Sequence, residues 1–409
     1  MDIEVVKRRR VRQAAILLAV ATFASSTAFS WSVAGVVLTE RLISTLNWFF
    51  WPIASVISII IAQHENLFKT IKKNWLFVWL LVFCTISSAW SLDPKVTIQR
   101  SVLAVMVAIT AASISTRLEV ATLTKVIVFV LLCIAVVGVT DEIVMGNLAQ
   151  LYPIRAGYNS RNAFGLSLGL AIVLAYPLIS ILNRTLIRVL LSLLVILLLV
   201  ILVLADSRTS LIAVVISVSA IAFTKFLTRG RSKSTALVVL SIFMFLVFTF
   251  LIGVIAQTPI LYWLGRSPDF TGRITGWSYA VQLIAARPII GSGFNGYWSS
   301  VAGITLRSNL NWSYASFHNN YIEYLVGLGV VGALMLVTLI CILYFRAISL
   351  IKIDAKLGFT LLSFMVAFTV ASLTESLLQR PNDIWFFTFC LMLFMSTGNR
   401  PNQNLSLVP

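Results

Sequence analysis

Apolar residues fall in long unbroken runs along this chain, separated by short polar breaks. Twelve runs stand out, at about 14–37, 43–62, 75–91, 101–115, 124–140, 163–181, 188–205, 209–224, 235–256, 320–344, 357–375 and 383–397. They are too long and too continuous for the core helices of a soluble domain, and they lack the period-two alternation of a β-barrel strand. The pattern predicts an all-α polytopic integral membrane protein of about twelve transmembrane helices. The runs at 101–115 and 209–224 are shorter than the roughly 20 residues a straight span needs. They either extend into flanking residues or are broken helices. One substantial polar stretch, 257–319, separates the ninth and tenth runs. Within it, GRITGWSYAVQLIAARP predicts a short amphipathic helix at the membrane interface, with Arg273 at its start and Pro288 as its stop. No internal repeat is visible, so residues 1–409 read as one integral membrane domain, with 257–319 as its one large extramembrane loop.

Composition agrees with the pattern. Only 11% of residues are charged, against about 25% in soluble domains, and the mean hydropathy is +0.97. The net charge of +17 would suggest nucleic acid if it were clustered. Placing the N-terminus, with Lys7, Arg8, Arg9, Arg10 and Arg12, in the cytoplasm puts 20 of the 31 basic residues on the inner side. Both termini are then cytoplasmic, and no nucleic-acid partner is needed. The N-terminal basic segment and the run after it read as an uncleaved anchor.

The outer side is different. It carries Arg41, Arg100, Arg155, Arg161, Arg208, Arg266, Arg273, Arg287, Arg307 and Arg380 but a single lysine, Lys95. A guanidinium grips phosphate oxygens in pairs and tolerates partial burial, so this bias points to a polyanionic ligand. The competing reading is arginines snorkelling to lipid headgroups. The four cysteines fall inside predicted spans, without a CxxC pair, and the two histidines are far apart. No disulfide framework, protein metal site or cofactor is predicted.

Chemistry concentrates at a few outer positions. His318, in FHNNYIEYL at the mouth of the tenth run, is a candidate general base for a sugar hydroxyl; Asn319 lies beside it. Arg208 follows Asp206 in a tight turn between two apolar runs, where an unpartnered charge is costly and therefore a functional candidate. The alternative is a pair with Asp206 that only holds the turn. Arg273 opens the short outer helix and Arg161-Asn162 opens the sixth run, each joining a guanidinium to free backbone amides. Arg287 is either a further contact or part of a helix stop. Glu323 and Glu375 read as arginine partners. Trp263, Trp277, Trp298 and Trp312 suit either sugar stacking or an interfacial belt.

The segments DSRTSL, TGR(x)3W, ARPIIGSGFNGYW and HNNYIEYLVGLGVVG resemble, in order and spacing, the core of the O-antigen polymerases and O-antigen ligases (Wzy/WaaL type). WSLDPKVTIQRS and GYNSRNAFG are similar to the exopolysaccharide-polymerase branch. The resemblance implies a glycosyltransferase-C type helical fold in the bacterial inner membrane, with its site on the periplasmic side. It implies a glycan donor on undecaprenyl pyrophosphate, a glycan acceptor, and neither nucleotide sugar nor metal. It places Arg208 and Arg273 on the pyrophosphate and makes His318 the catalytic histidine. Where many relatives have His-Lys-Asn, this chain has Ser160-Arg161-Asn162, which keeps the charge and loses a histidine. A polymerase of lipid-linked repeat units, with a flippase and a chain-length regulator as partners, is the leading expectation. A ligase acting on lipid A core or another acceptor is the second, and a twelve-span transporter or flippase is a more distant third.

Overall fold

The computed structural model describes residues 3–26, 32–33, 36–37, 40–144, 154–155, 158, 160–179, 184–228, 273–309 and 315–398. The expected span at 235–256, the 257–272 part of the outer loop, Trp263 and Trp312 lie outside these residues. The described part is helical: α1 (Ile3–Ser26), α2 (Glu40–Ile61), α3 (His64–Lys73), α4 (Trp75–Ile86), α5 (Pro94–Ser115), α6 (Val120–Val144), α7 (Arg161–Ile179), α8 (Thr185–Leu204), α9 (Arg208–Thr228), α10 (Arg273–Ala286), α11 (Val301–Asn309), α12 (Asn320–Ile353), α13 (Ala355–Ser372) and α14 (Ile384–Met395). A 3-10 turn, Ser87–Trp90, prolongs α4. Two two-residue strands, β1 (Ser32–Val33) and β2 (Val36–Val37), pair antiparallel after α1.

Seven of these helices are long and apolar enough to cross a membrane: α5 to α9, α12 and α13. Counting the bent pair α3 and α4 as one broken span makes eight. Trp48–Ile61 within α2, and α14, are shorter apolar helices. The chain is a multi-pass helical membrane protein, but twelve spans are not reached among the described residues. The first expected run, 14–37, is not a single helix, since Ser32–Val33 and Val36–Val37 within it are paired strands. The two short runs proved to be parts of longer helices. α5 starts back at Pro94, where the Asp93 carboxylate accepts from Val96 N at 3.1 Å and proline suits the first helical position. α9 runs from Arg208 to Thr228.

α13 and α7 form the interior, with 83% and 78% of their spans buried, whereas only 11% of α8 is. α13 packs on α7, α9 and α12, and α14 packs on α5. Close approach of α7 to the α8–α9 turn depends on Gly165, where a Cβ would sit 2.2 Å from Ser207 Cβ. That contact sets the height of the next residue, Arg208, against the start of α7.

α10 lies where the sequence predicts a helix. Its inner side, Arg273, Gly276, Trp277, Ala280 and Leu283, covers a small separate core of Tyr297, Trp298, Phe317 and Val326. Its outer side carries exposed Ile274 and Val281 beside Ser278 and Gln282, so the helix is less amphipathic than expected.

α12 is broken at Gly329, whose φ of 64° and ψ of −165° leave the helix. The segment after α10 lies along the break. Ser292 N donates to Val326 O and Gly293 N to Gly327 O, both at 2.8 Å; Val330 N donates to Pro288 O at 2.8 Å and Val331 N to Ile289 O at 3.3 Å. Backbone groups freed by a helix break inside a membrane protein must find such partners. A Cβ on Gly329 would meet Ile289 O at 2.2 Å. Gly329→Ala should therefore destabilise the protein by about 2 kcal/mol or more, through both backbone strain and collision. Gly398→Ala, whose Cβ would meet nothing closer than 3.7 Å, should be nearly neutral. Thermal unfolding of both variants in nanodiscs is the check; equal unfolding temperatures would refute the argument.

Candidate functional site

Four helix starts and one turn meet at one end of the bundle. The turn follows α13 and carries Glu375, whose side chain is 10% exposed. Its Oε1 accepts from Arg273 Nη2 at 2.8 Å and from Asn162 Nδ2 at 3.0 Å, and its Oε2 meets His318 Nδ1 at 3.1 Å. Burial alone would raise the carboxyl, but the His318 hydrogen bond and the Arg273 charge outweigh it and hold Glu375 below the ordinary carboxylate value. An ionised carboxylate only accepts, so Nδ1 of His318 carries the ring hydrogen in this bond, and in the neutral ring the lone pair then lies on Nε2. That is the tautomer a general base needs.

His318 is itself held in an uncommon conformation, with φ of 51°. Its N donates to Ser316 Oγ at 3.0 Å. On one side, Asn319 caps α12 by accepting from Tyr321 N and Ile322 N, and its Nδ2 donates to Leu373 O at 3.0 Å. On the other, the Phe317 ring is fully buried against Tyr297 and Trp298, and Phe317 O accepts from Trp277 Nε1 at 2.8 Å. Glu323 takes Phe317 N, Ser376 Oγ and Trp298 Nε1. It binds neutral donors that fold this turn, rather than the arginine the sequence suggested.

Arg161 and Arg208 form a second group around Asp206. Arg161 Nη1 hydrogen-bonds Asp206 Oδ2, and Arg208 Nε lies 3.8 Å from Oδ1. Asp206 also has positive φ, at 49°. Non-glycine residues persist in this region only when their surroundings enforce it, and such strain gathers at functional sites. Arg208 Nη1 is buried and finds no hydrogen-bond partner among the described residues. The two groups are joined twice: Arg161 is followed by Asn162, which binds Glu375, and Thr374 Oγ1 donates to Thr209 Oγ1 at 3.3 Å.

The structure thus brings together His318, Arg273, Arg161 and Arg208, with Asn319 and Trp277 positioning the backbone around His318. It places Arg287 elsewhere, with Nη1 donating to Trp90 O at 3.2 Å. Sequence reasoning named Asn162 only beside Arg161 and Glu375 only as an arginine partner, and missed that Glu375 joins Asn162, Arg273 and His318. The signal for Glu375 was a lone carboxylate at the end of an apolar run. Among the described residues no group of three His, Cys, Asp or Glu side chains could hold a metal ion.

Residues 193–337, from within α8 to within α12, match the family described as O-antigen ligase. The exopolysaccharide production protein ExoQ of Rhizobium meliloti (strain 1021) is 21% identical over 294 residues, covering 66% of this chain and 64% of that protein. These likenesses join the middle of the chain to the O-antigen ligase family and a longer stretch of it to an exopolysaccharide production protein. The chain's match spans just under two thirds of the length of ExoQ. Of the rim residues, Arg208, Arg273 and His318 fall inside the segment matched to the O-antigen ligase family, whereas Arg161, Asn162 and Glu375 lie outside it.

Because its folded-state value is lowered, the stabilisation from Glu375 is complete above the ordinary carboxylate value of about 4.3. It is lost as pH falls through the lower folded value. Glu375→Gln should cost roughly 3 kcal/mol at neutral pH by leaving Arg273 buried without its counter-charge. It should also flatten the acid limb of a plot of unfolding temperature against pH. A variant that keeps the wild-type acid limb would show that another carboxylate controls it.

Proposed function

We propose that this protein is a membrane glycosyltransferase that polymerises undecaprenyl-pyrophosphate-linked oligosaccharides into a surface polysaccharide. The reaction takes place on the periplasmic side of the bacterial inner membrane. The observation that carries the reading is the rim itself: one histidine bonded through Nδ1 to a buried carboxylate, beside three arginines drawn from three helix starts.

His318 Nε2 takes the proton of the acceptor hydroxyl as its oxygen bonds to the anomeric carbon of the donor sugar. The bond from that carbon to the diphosphate breaks, and its electron pair leaves on the diphosphate oxygen. Arg161, Arg208 and Arg273 hold the diphosphate, and their effect grows as negative charge collects there. Glu375 stabilises the imidazolium that forms. Attack opposite the leaving group inverts the anomeric centre. The donor is already activated, so neither nucleotide nor metal is required.

The ExoQ likeness favours a polymerase; the description of the matched family favours a ligase that moves a finished glycan to lipid A core or another acceptor. The acceptor distinguishes them. Purified protein in liposomes should lengthen a lipid-pyrophosphate glycan in the presence of a chelator. His318→Ala should lower kcat by about 10²–10⁴, and Arg208→Ala by about 10²–10³. Full activity in both variants would refute the site. Transfer to lipid A core without lengthening would favour the ligase, and movement across the bilayer without a new glycosidic bond the transporter.

A further inference from the structure

The end of the bundle opposite the rim carries a helix that is not part of any straight span. α3 leaves α4 at an angle of 78°. It is tied to the bundle at its ends. Gln63 N donates to Thr116 Oγ1 at 3.2 Å, and Arg117 Nη2 donates to Ala62 O at 3.1 Å. At the other end Lys73 Nζ donates to Thr397 O at 3.2 Å, and Asn74 accepts from Arg346 Nη1 at 2.6 Å.

At 3.6 residues per turn, Leu67, Phe68 and Ile71 share an arc of about 100°. Glu65, Lys69, Lys72 and Lys73 share the opposite one, and all four are exposed. Thr70, on the flank between them, is the buried residue facing the bundle. Leu67 and Ile71 pack down on the core, while Phe68 and the following Trp75 are 70% and 62% exposed. A short helix with a lysine-rich face, an exposed phenylalanine at the border of its apolar face and an exposed tryptophan just past its end suits the plane between acyl chains and headgroups. Glu65 offsets little, since its contact with Lys69 is a 3.8 Å pair between exposed groups.

We propose that α3 lies in the headgroup plane of the leaflet opposite the rim. There Phe68 and Trp75 reach the acyl chains, and Lys69 and Lys72 bind the phosphates of anionic phospholipids. The surface is a lipid site, independent of the glycan chemistry at the other end.

The full chain carrying p-benzoylphenylalanine at position 68 is placed in nanodiscs of phosphatidylcholine and phosphatidylglycerol and irradiated. Mass spectrometry should find a phospholipid adduct from position 68 and none when the probe is at position 69. An adduct to protein, or none from position 68, overturns the placement. Native mass spectrometry then compares retained phosphatidylglycerol. Lys69→Gln with Lys72→Gln should lower it by about fivefold or more, and Lys69→Arg with Lys72→Arg should restore it. Unchanged retention in the glutamine variant overturns the headgroup assignment, whatever the variant's glycosyl-transfer activity.

Discussion

A buried carboxylate in a membrane protein has few ways to exist, and Glu375 uses all of its oxygens to do so. Leaving it ionised without partners would cost far more than a folded protein can spare. Arg273, Asn162 and His318 therefore have to converge on the turn after α13. These three residues come from α10, α7 and the approach to α12, so a single side chain fixes segments that are remote in sequence. The orientation of the His318 ring follows from that requirement.

The rim is balanced more finely than a count of arginines suggests. Arg273 is paired with Glu375, while Arg161 and Arg208 share Asp206. Among the described residues the three guanidiniums face two carboxylates, and the buried Arg208 Nη1 has no hydrogen-bond partner there. Carboxylates in this arrangement hold the arginines in fixed positions, which is what electrostatic preorganisation means in structural terms.

Much of the fold was legible because hydropathy speaks directly to lipid. The runs at 163–181, 188–205 and 357–375 became α7, α8 and α13 with small shifts. Runs shortened by polar residues were harder: α5 begins at a capped Asp93-Pro94 pair that a hydropathy window excludes. α3 was hidden among basic loop residues because its apolar side shows only when the chain is wound at helical pitch. At the site, His318, Arg208 and Arg273 stood out as rare residue types at the edges of apolar runs. Asn162 did not, since a neutral amide gives no charge signal, and Glu323 misled because a carboxylate near arginines can be satisfied by backbone and indole donors instead.

The break at Gly329 has a mechanical meaning. Its strap crosses the break, with two hydrogen bonds to residues before the glycine and two to residues after it. A bare glycine kink would let the two halves of α12 swing; a strapped one behaves as a rigid elbow. The end of α12 that follows His318 is thus locked in tilt to the half that runs on through the membrane. A change in the shape of the rim would then fall to other elements, with α12 as the fixed post.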